Sequence, residues 1–396
     1  MRISVLLLAG LLAGCLSQST PEPASLDAPL HAMPALAFSA PVRIDAEQPA
    51  REPAIVQAKD GALYVAGFWG FARHVEYPGT AQNLAQGPLV WKSTDLGATW
   101  QRLEPGTALD GAVSNSDLDL AVDDTGMLYL AALSYYSAPL PPGVAAPTLP
   151  VDAARTLSVV VGASEDGGAH WRWSLLDRGR GMSHPWVAVQ PSGTAHVVWA
   201  DEDGVRAASS NSRGQEWVQR GLVHPQGEAG GIAASLDGAL AVRIAPIGPN
   251  PADGVAVSRD GGASWDFRAA PGNRSGPEPR GFDNVAFDAA GVLYMAWNEG
   301  RAVRLARSAD LGAFWADVTI VEEPEGSLPY DPSLRAGGPG HLGMTWFTAT
   351  GDVVAARVAH VAFDGLEPRT QAGTFMADTG GINHADYYQL AFLQDG

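Results

Sequence analysis

The chain has 396 residues, 46% of them hydrophobic, with 46 glycines, 29 prolines and a single cysteine. That length is long for one ordinary core, but repeat folds grow as single units, and the glycine and proline content points to many turns. A formal net charge of −18 disfavours nucleic acid or an anionic membrane surface as a partner and demands a local basic site for any anionic ligand, while one cysteine excludes an intrachain disulfide.

At the N-terminus Arg2 precedes the apolar run Ile3 to Ala13, which reads as an export signal and is too short to span a bilayer as a permanent helix. It ends in Leu12-Ala13-Gly14-Cys15, which resembles a bacterial lipobox. The resemblance implies that residues 1–14 are removed and that Cys15 is lipidated. Residues 15–36, rich in Pro, Ser and Ala, then form a flexible tether. The expected location is the cell envelope, at an outer membrane or cell surface, with membrane contact through the N-terminal lipid only.

From residue 37 onwards the chain is repetitive. One unit is an apolar run, a glycine turn and a second apolar run. It appears as Ala54-Ile55-Val56 to Leu63-Tyr64-Val65, Leu120-Ala121-Val122 to Leu128-Tyr129-Leu130, Val187-Ala188-Val189 to His196-Val197-Val198, and three times more. These β-rich runs around tight turns predict hairpins. A second unit follows five of the six hairpins. Ser93-Thr94-Asp95-Leu96-Gly97-Ala98-Thr99-Trp100 returns at Ser164–Trp171, Ser258–Trp265 and Ser308–Trp315, and more weakly at Ser210–Trp217, where Ser212 stands for the aspartate. In the pattern Ser-x-Asp-x-Gly-x-x-Trp the short polar side chains can bond turn amides, glycine tolerates positive φ, and tryptophan anchors the next strand.

With a third strand before each box and a fourth after it, every unit is a four-stranded antiparallel blade. The prediction is an all-β propeller of six complete blades between about residues 51 and 376, the sixth without a box. Tyr387 to Gly396 begins a partial seventh copy. Either the chain is truncated there, or this strand pairs near Ala40-Pro41-Val42-Arg43-Ile44 and closes the ring, removing exposed edges. Residues 137–155, with five prolines, form an insertion of the length that often carries function.

The boxes resemble the Asp-box (BNR) repeats of the sialidase superfamily, in which they are structural hairpins of a β-propeller. In such a blade the first glycine turn and the box turn share one face. The opposite face gathers residues before each first strand (Arg51, Asp117, His184, Glu228, Asp283, Tyr330, Asp331) and after each second strand (Trp69, Arg73, His74, Glu76, Tyr135, Tyr136, Arg243, Arg301). The resemblance implies a carboxylate-binding arginine triad, for which Arg51 (in Arg51-Glu52-Pro53, with Glu52 in place of the family's isoleucine), Arg243 and Arg301 occupy the matching places. It implies a tyrosine nucleophile, Tyr330 or its competitor Tyr387, activated by Glu228, and an acid, for which only Glu76 or His74 is available. A phenol is a poor nucleophile until a base takes its proton, and arginine matches a carboxylate bidentately.

Three functional readings follow. One is an exo-glycosidase that releases a terminal sialic-acid-type sugar. The second is a non-catalytic scaffold binding a glycan or protein, with Trp69, Phe71, Tyr135 and Tyr136 available for stacking and Trp199, Trp297 and Trp346 assigned to the core. The third is a cation in the central channel held by Asp117, Asp119, Asp283 and Asp331. No nucleotide-binding loop, Cys- or His-rich metal motif or Gly-x-Ser-x-Gly elbow is present, so no cofactor is expected. The expected partner is a glycan or glycoprotein, not nucleic acid, and the expected state is a monomer.

Overall fold

The computed structural model describes residues 36–37, 39–47, 50–68, 87–106, 112–136, 156–179, 181–246, 253–271, 282, 284–351, 353–365, 367–376 and 389–391. Within them lie six four-stranded antiparallel sheets, each with its strands in chain order. Blade 1 holds β1 (Arg51–Gln57), β2 (Leu63–Phe68), β3 (Leu89–Ser93) and β4 (Gln101–Leu103). Blade 2 holds β5 (Ala112–Val122), β6 (Leu128–Tyr136), β7 (Thr156–Ser164) and β8 (Arg172–Gly179). Blade 3 is β9 (Ser183–Val189), β10 (Ala195–Asp201), β11 (Gly204–Ser210) and β12 (Val218–His224). In blade 4 come β13 (Glu228–Ala234), β14 (Leu240–Ala245), β15 (Gly254–Ser258) and β16 (Asp266–Ala269), and in blade 5 β17 (Val285–Phe287), β18 (Leu293–Glu299), β19 (Ala302–Ser308) and β20 (Ala316–Glu322). Blade 6 is β21 (Ser327–Ala336), β22 (His341–Thr350), β23 (Val353–Asp364) and β24 (Glu367–Met376). The six blades expected between residues 51 and 376 are therefore present.

Position in the blade explains the residue pattern of each strand. Second strands such as β10 and β14 are buried along almost their whole length because adjacent blades cover both faces, so they read as continuous apolar runs. The outermost strand β12 is mostly exposed. Apolar layers fill the spaces between successive blades: Val90, Leu118 and Leu130 join blades 1 and 2, Tyr129, Val161 and Trp199 join blades 2 and 3, and Tyr294, Leu334 and Trp346 join blades 5 and 6. Trp199, Trp297 and Trp346 are each 2% exposed or less, as expected of core residues.

The seam between blades 6 and 1 is closed differently. Ile44 and Ala391 both pack on the blade 1 cluster of Ile55, Val65 and Trp91, and Leu390 lies against Gly343 of β22. Gln389 accepts the Ile55 N–H at 3.0 Å and donates to Asp119 Oδ1 at 2.9 Å. Neither residues 40–44 nor 389–391 are strands, and Tyr387 lies outside the described residues. The C-terminal segment thus packs at the seam, while a paired seventh strand is not seen among the described residues.

All five boxes adopt one hydrogen-bonded turn. Ser93 Oγ accepts the Gly97 N–H at 2.8 Å and Asp95 Oδ1 accepts the Thr99 N–H at 2.8 Å; in the first two boxes the Trp100 and Trp171 indole N–H groups also donate to the Gly97 and Gly168 carbonyls, each at 3.0 Å. In the degenerate copy Ser212 Oγ takes over the aspartate's task and accepts the Glu216 N–H at 2.8 Å. Blade 6 has no box, and its outer strands join through a tight turn after Asp364.

Candidate functional site at one end of the axis

First strands of successive blades, from β1 through β21, contact one another in turn and so surround the axis. Each leads into a hairpin turn closed by a backbone bond from Ala58, Asp123, Gln190, Ser235, Asp288 or Gly337. Counting back six residues from each of these reaches Glu52, Asp117, His184, Ala229, Phe282 and Asp331. Four of them are non-glycine residues in the left-handed region, with φ of 47°, 36°, 45° and 48° for Glu52, Asp117, His184 and Asp331. Strand register breaks at the same place in blades 1, 2, 3, 4 and 6. Left-handed non-glycine residues cost about 1 kcal/mol or more each, and such strain and bulges concentrate where a side chain must be aimed.

One position earlier stand Arg51, Ser116, Ser183, Glu228 and Tyr330. Three sequence-predicted site residues, Arg51, Glu228 and Tyr330, therefore share one register position in blades 1, 4 and 6. The side chain of Arg51 lies outside the described residues. Glu228 turns toward blade 3, accepting from Ser183 Oγ at 3.4 Å and lying 3.7 Å from His184 Nδ1. The His184 N–H donates to Asp117 Oδ2 at 3.4 Å, and its ring stacks on Phe282 at 4.1 Å. Tyr330 stacks on Phe347 at 5.3 Å, and burial, with the Asp331 charge beside it, pushes its phenol above the ordinary range. Deeper in the ring, Asp119 accepts the Val187 N–H at 2.9 Å; its burial raises its carboxyl, partly offset by the Arg335 charge.

Two predicted arginines are placed elsewhere. Arg243 is fully buried, its Nη2 2.6 Å from Asp253 Oδ1 and its Nη1 donating to the Gly254 carbonyl at 2.9 Å. Arg301, in the turn after β18, donates to Glu322 Oε1 at 2.7 Å, at the end of the outermost strand. The two described side chains, Arg243 and Arg301, therefore meet different carboxylates. Trp69, Arg73, His74, Glu76, Asp283, the insertion 137–155 and Cys15 lie outside the described residues, and Tyr135 and Tyr136 are described by backbone only. Among the described residues no group of three His, Cys, Asp or Glu side chains is arranged to hold a metal ion.

The end of the axis is consequently rich in carboxylates: Asp117, Glu228 and Asp331 are partly exposed, with His184 among them, and Glu52 is buried at the same level. Such a surface accepts hydrogen bonds from hydroxyl or ammonium groups and opposes an anion. Sequence reasoning passed over the shared bulge. A signal was available, because Glu52-Pro53, His184-Pro185 and Asp331-Pro332 place proline at one fixed offset from the hairpin turn, and proline within a sheet is confined to edges and bulges.

Fold and site together define a six-bladed β-propeller with a polar axial end. No protein-family model matches the chain, and no curated protein matches it. Solved structures do resemble it. A protein of unknown function from Dyadobacter fermentans shares 14% identity at a TM-score of 0.48, over 83% of this chain and 94% of the other. Leech intramolecular trans-sialidase shares 13% at 0.48, over 75% and 64%, and Trypanosoma rangeli sialidase 14% at 0.43, over 84% and 56%. The chain spans between half and two-thirds of the length of those two enzymes, and likeness at this identity concerns fold alone.

Proposed function

We propose that the chain is an exported, lipid-anchored propeller that recognises a neutral or basic glycan at its axial end and does not turn over acidic sugars. One observation carries the reading: the axial register presents Asp117, Glu228 and Asp331, with a buried Glu52 at the same level, while Arg243 and Arg301 each pair with a carboxylate of their own. An anionic sugar would meet the negative charge of these carboxylates, whereas sugar hydroxyls meet acceptors. A fluorogenic sialoside should give no turnover, and a glycan array should show binding to neutral or amine-bearing glycans that weakens with Glu228→Gln or Asp331→Asn. Lipidation is tested by mass spectrometry of the membrane fraction, where an unmodified Cys15 would defeat the anchor.

The second reading is an exo-glycosidase of sialidase type. It is favoured by the common register of Arg51, Glu228 and Tyr330 in three blades. Sialoside turnover that disappears in Tyr330→Phe would replace the first reading with this one.

A further inference from the structure

We infer that the axial site continues into a radial groove between blades 2 and 3, and that this groove holds a further two or three units, roughly, of the same neutral or amine-bearing glycan. The inference rests on the glycan reading above and extends it from a terminal sugar to an oligosaccharide.

A cavity of about 530 Å³ opens between the end of β8 and the β10–β11 turn, lined among others by Asp177, Met182, Glu202, Arg206 and Gln219. That volume falls within the range of small-ligand sites and exceeds one pyranose ring. The groove opens on the axial face, because the β8–β9 connection and the β10–β11 turn lie at the same end of the blades as His184 and Glu228. Met182 in its wall is two residues before His184, so groove and axial residues are within about 7 Å along the chain.

The wall is preorganised. Arg206 is held by Asp201 and by Asp203, the latter at 2.7 Å, and the Asp201 side chain is only 12% exposed. Asp177 is fixed by the Trp199 indole N–H at 3.3 Å. These anchored carboxylates keep lone pairs for hydroxyl or ammonium donors. Glu202 and Gln219 are more exposed; the Gln219 amide N–H donates to the Leu176 carbonyl at 2.7 Å, which leaves its carbonyl oxygen toward the groove as an acceptor. Four lining carboxylates (Asp177, Asp201, Glu202, Asp203) face two lining guanidiniums (Arg178, Arg206), an excess of two negative charges that repels uronic or sialic acids. Glycines keep the passage narrow but open: a Cβ at Gly181 would stand 2.9 Å from Glu202 Cγ, while one at Gly221 would meet nothing within 4 Å.

Calorimetric titration of the full chain with glucosamine, the glucosamine trimer, its N-acetylated counterpart and trigalacturonate tests the groove. The glucosamine and N-acetylated trimers should each bind at least about tenfold tighter than the monosaccharide, and trigalacturonate should not bind. Gln219→Trp and Glu202→Lys, both on exposed positions, should abolish the trimer advantage while leaving the monosaccharide affinity unchanged. Trimer and monosaccharide binding equally, or a trimer advantage that survives both variants while Glu228→Gln still weakens binding, would overturn the groove and leave the axial reading standing. Absence of binding by every neutral and basic sugar would overturn both.

Discussion

Arg243 separates a structural from a ligand-binding account of this propeller. Its guanidinium is fully buried, ion-paired with Asp253 at 2.6 Å and bonded to the Gly254 carbonyl at 2.9 Å. Arg243→Met keeps most of the apolar stem but leaves the Asp253 carboxylate, 17% exposed, and the carbonyl without their donor. Removing one member of a buried pair costs about 3–5 kcal/mol, since an uncompensated charge stays behind. Partial solvent access to Asp253 places the expected loss toward the lower end, about 3 kcal/mol. Arg243→Met/Asp253→Leu removes both charges and should recover most of that loss, giving a coupling energy of about 2 kcal/mol or more. Urea denaturation of the wild type, both single variants and the double variant measures the cycle. A single variant within about 0.5 kcal/mol of wild type that nevertheless loses glycan binding would refute the structural role, because surface-like substitutions have effects of that size.

The remaining predictions concern the boxes and the seam. Ser308→Ala removes the acceptor of the Gly312 N–H and the donor to Asp310, and should cost about 1–2 kcal/mol by thermal or urea melts. Asp260, held at about 2 by the Ser264 hydroxyl and N–H, has a folded pKa below its unfolded value. Its stabilisation is therefore present above the ordinary 3.8 and lost as pH falls toward 2, and Asp260→Asn should flatten that part of the acid-unfolding curve. Asp119 shows the opposite sign: burial raises its carboxyl, so its contribution is full below the unfolded value and declines as pH rises through the folded one. Asp119→Asn should reduce the fall in urea midpoint between mildly acid and neutral pH. Gly343→Ala would set a Cβ 2.7 Å from Leu390 Cδ1 and should destabilise the chain, whereas in a Leu390→Ala background, itself about 2 kcal/mol weaker, it should be harmless. Equal penalties in both backgrounds would show that the C-terminal segment does not occupy the seam in solution.

Architecture was legible in the residues because it is written locally and repeatedly. The box turns depend on contacts within five residues, so Ser93, Asp95, Gly97 and Trp100 declare the same turn wherever they recur, and even Ser212 preserves it. Strand alternation and its loss in second strands follow from which faces neighbouring blades cover. Blade number came from counting these local units, and the buried Trp199, Trp297 and Trp346 from their place in them.

Side-chain pairing was decided only by the tertiary structure. Chain order did not indicate the partners of Arg243 and Arg301: Asp253, just before β15, and Glu322, at the end of β20, determine where their charge is spent. The prolines after Glu52, His184 and Asp331 hint at the shared bulge, but only the closed ring sets these residues of different blades at one level around the axis. Hydrogen bonds between near neighbours are encoded in the order of residues, whereas electrostatics at the axis depend on distances that exist only once the ring has closed.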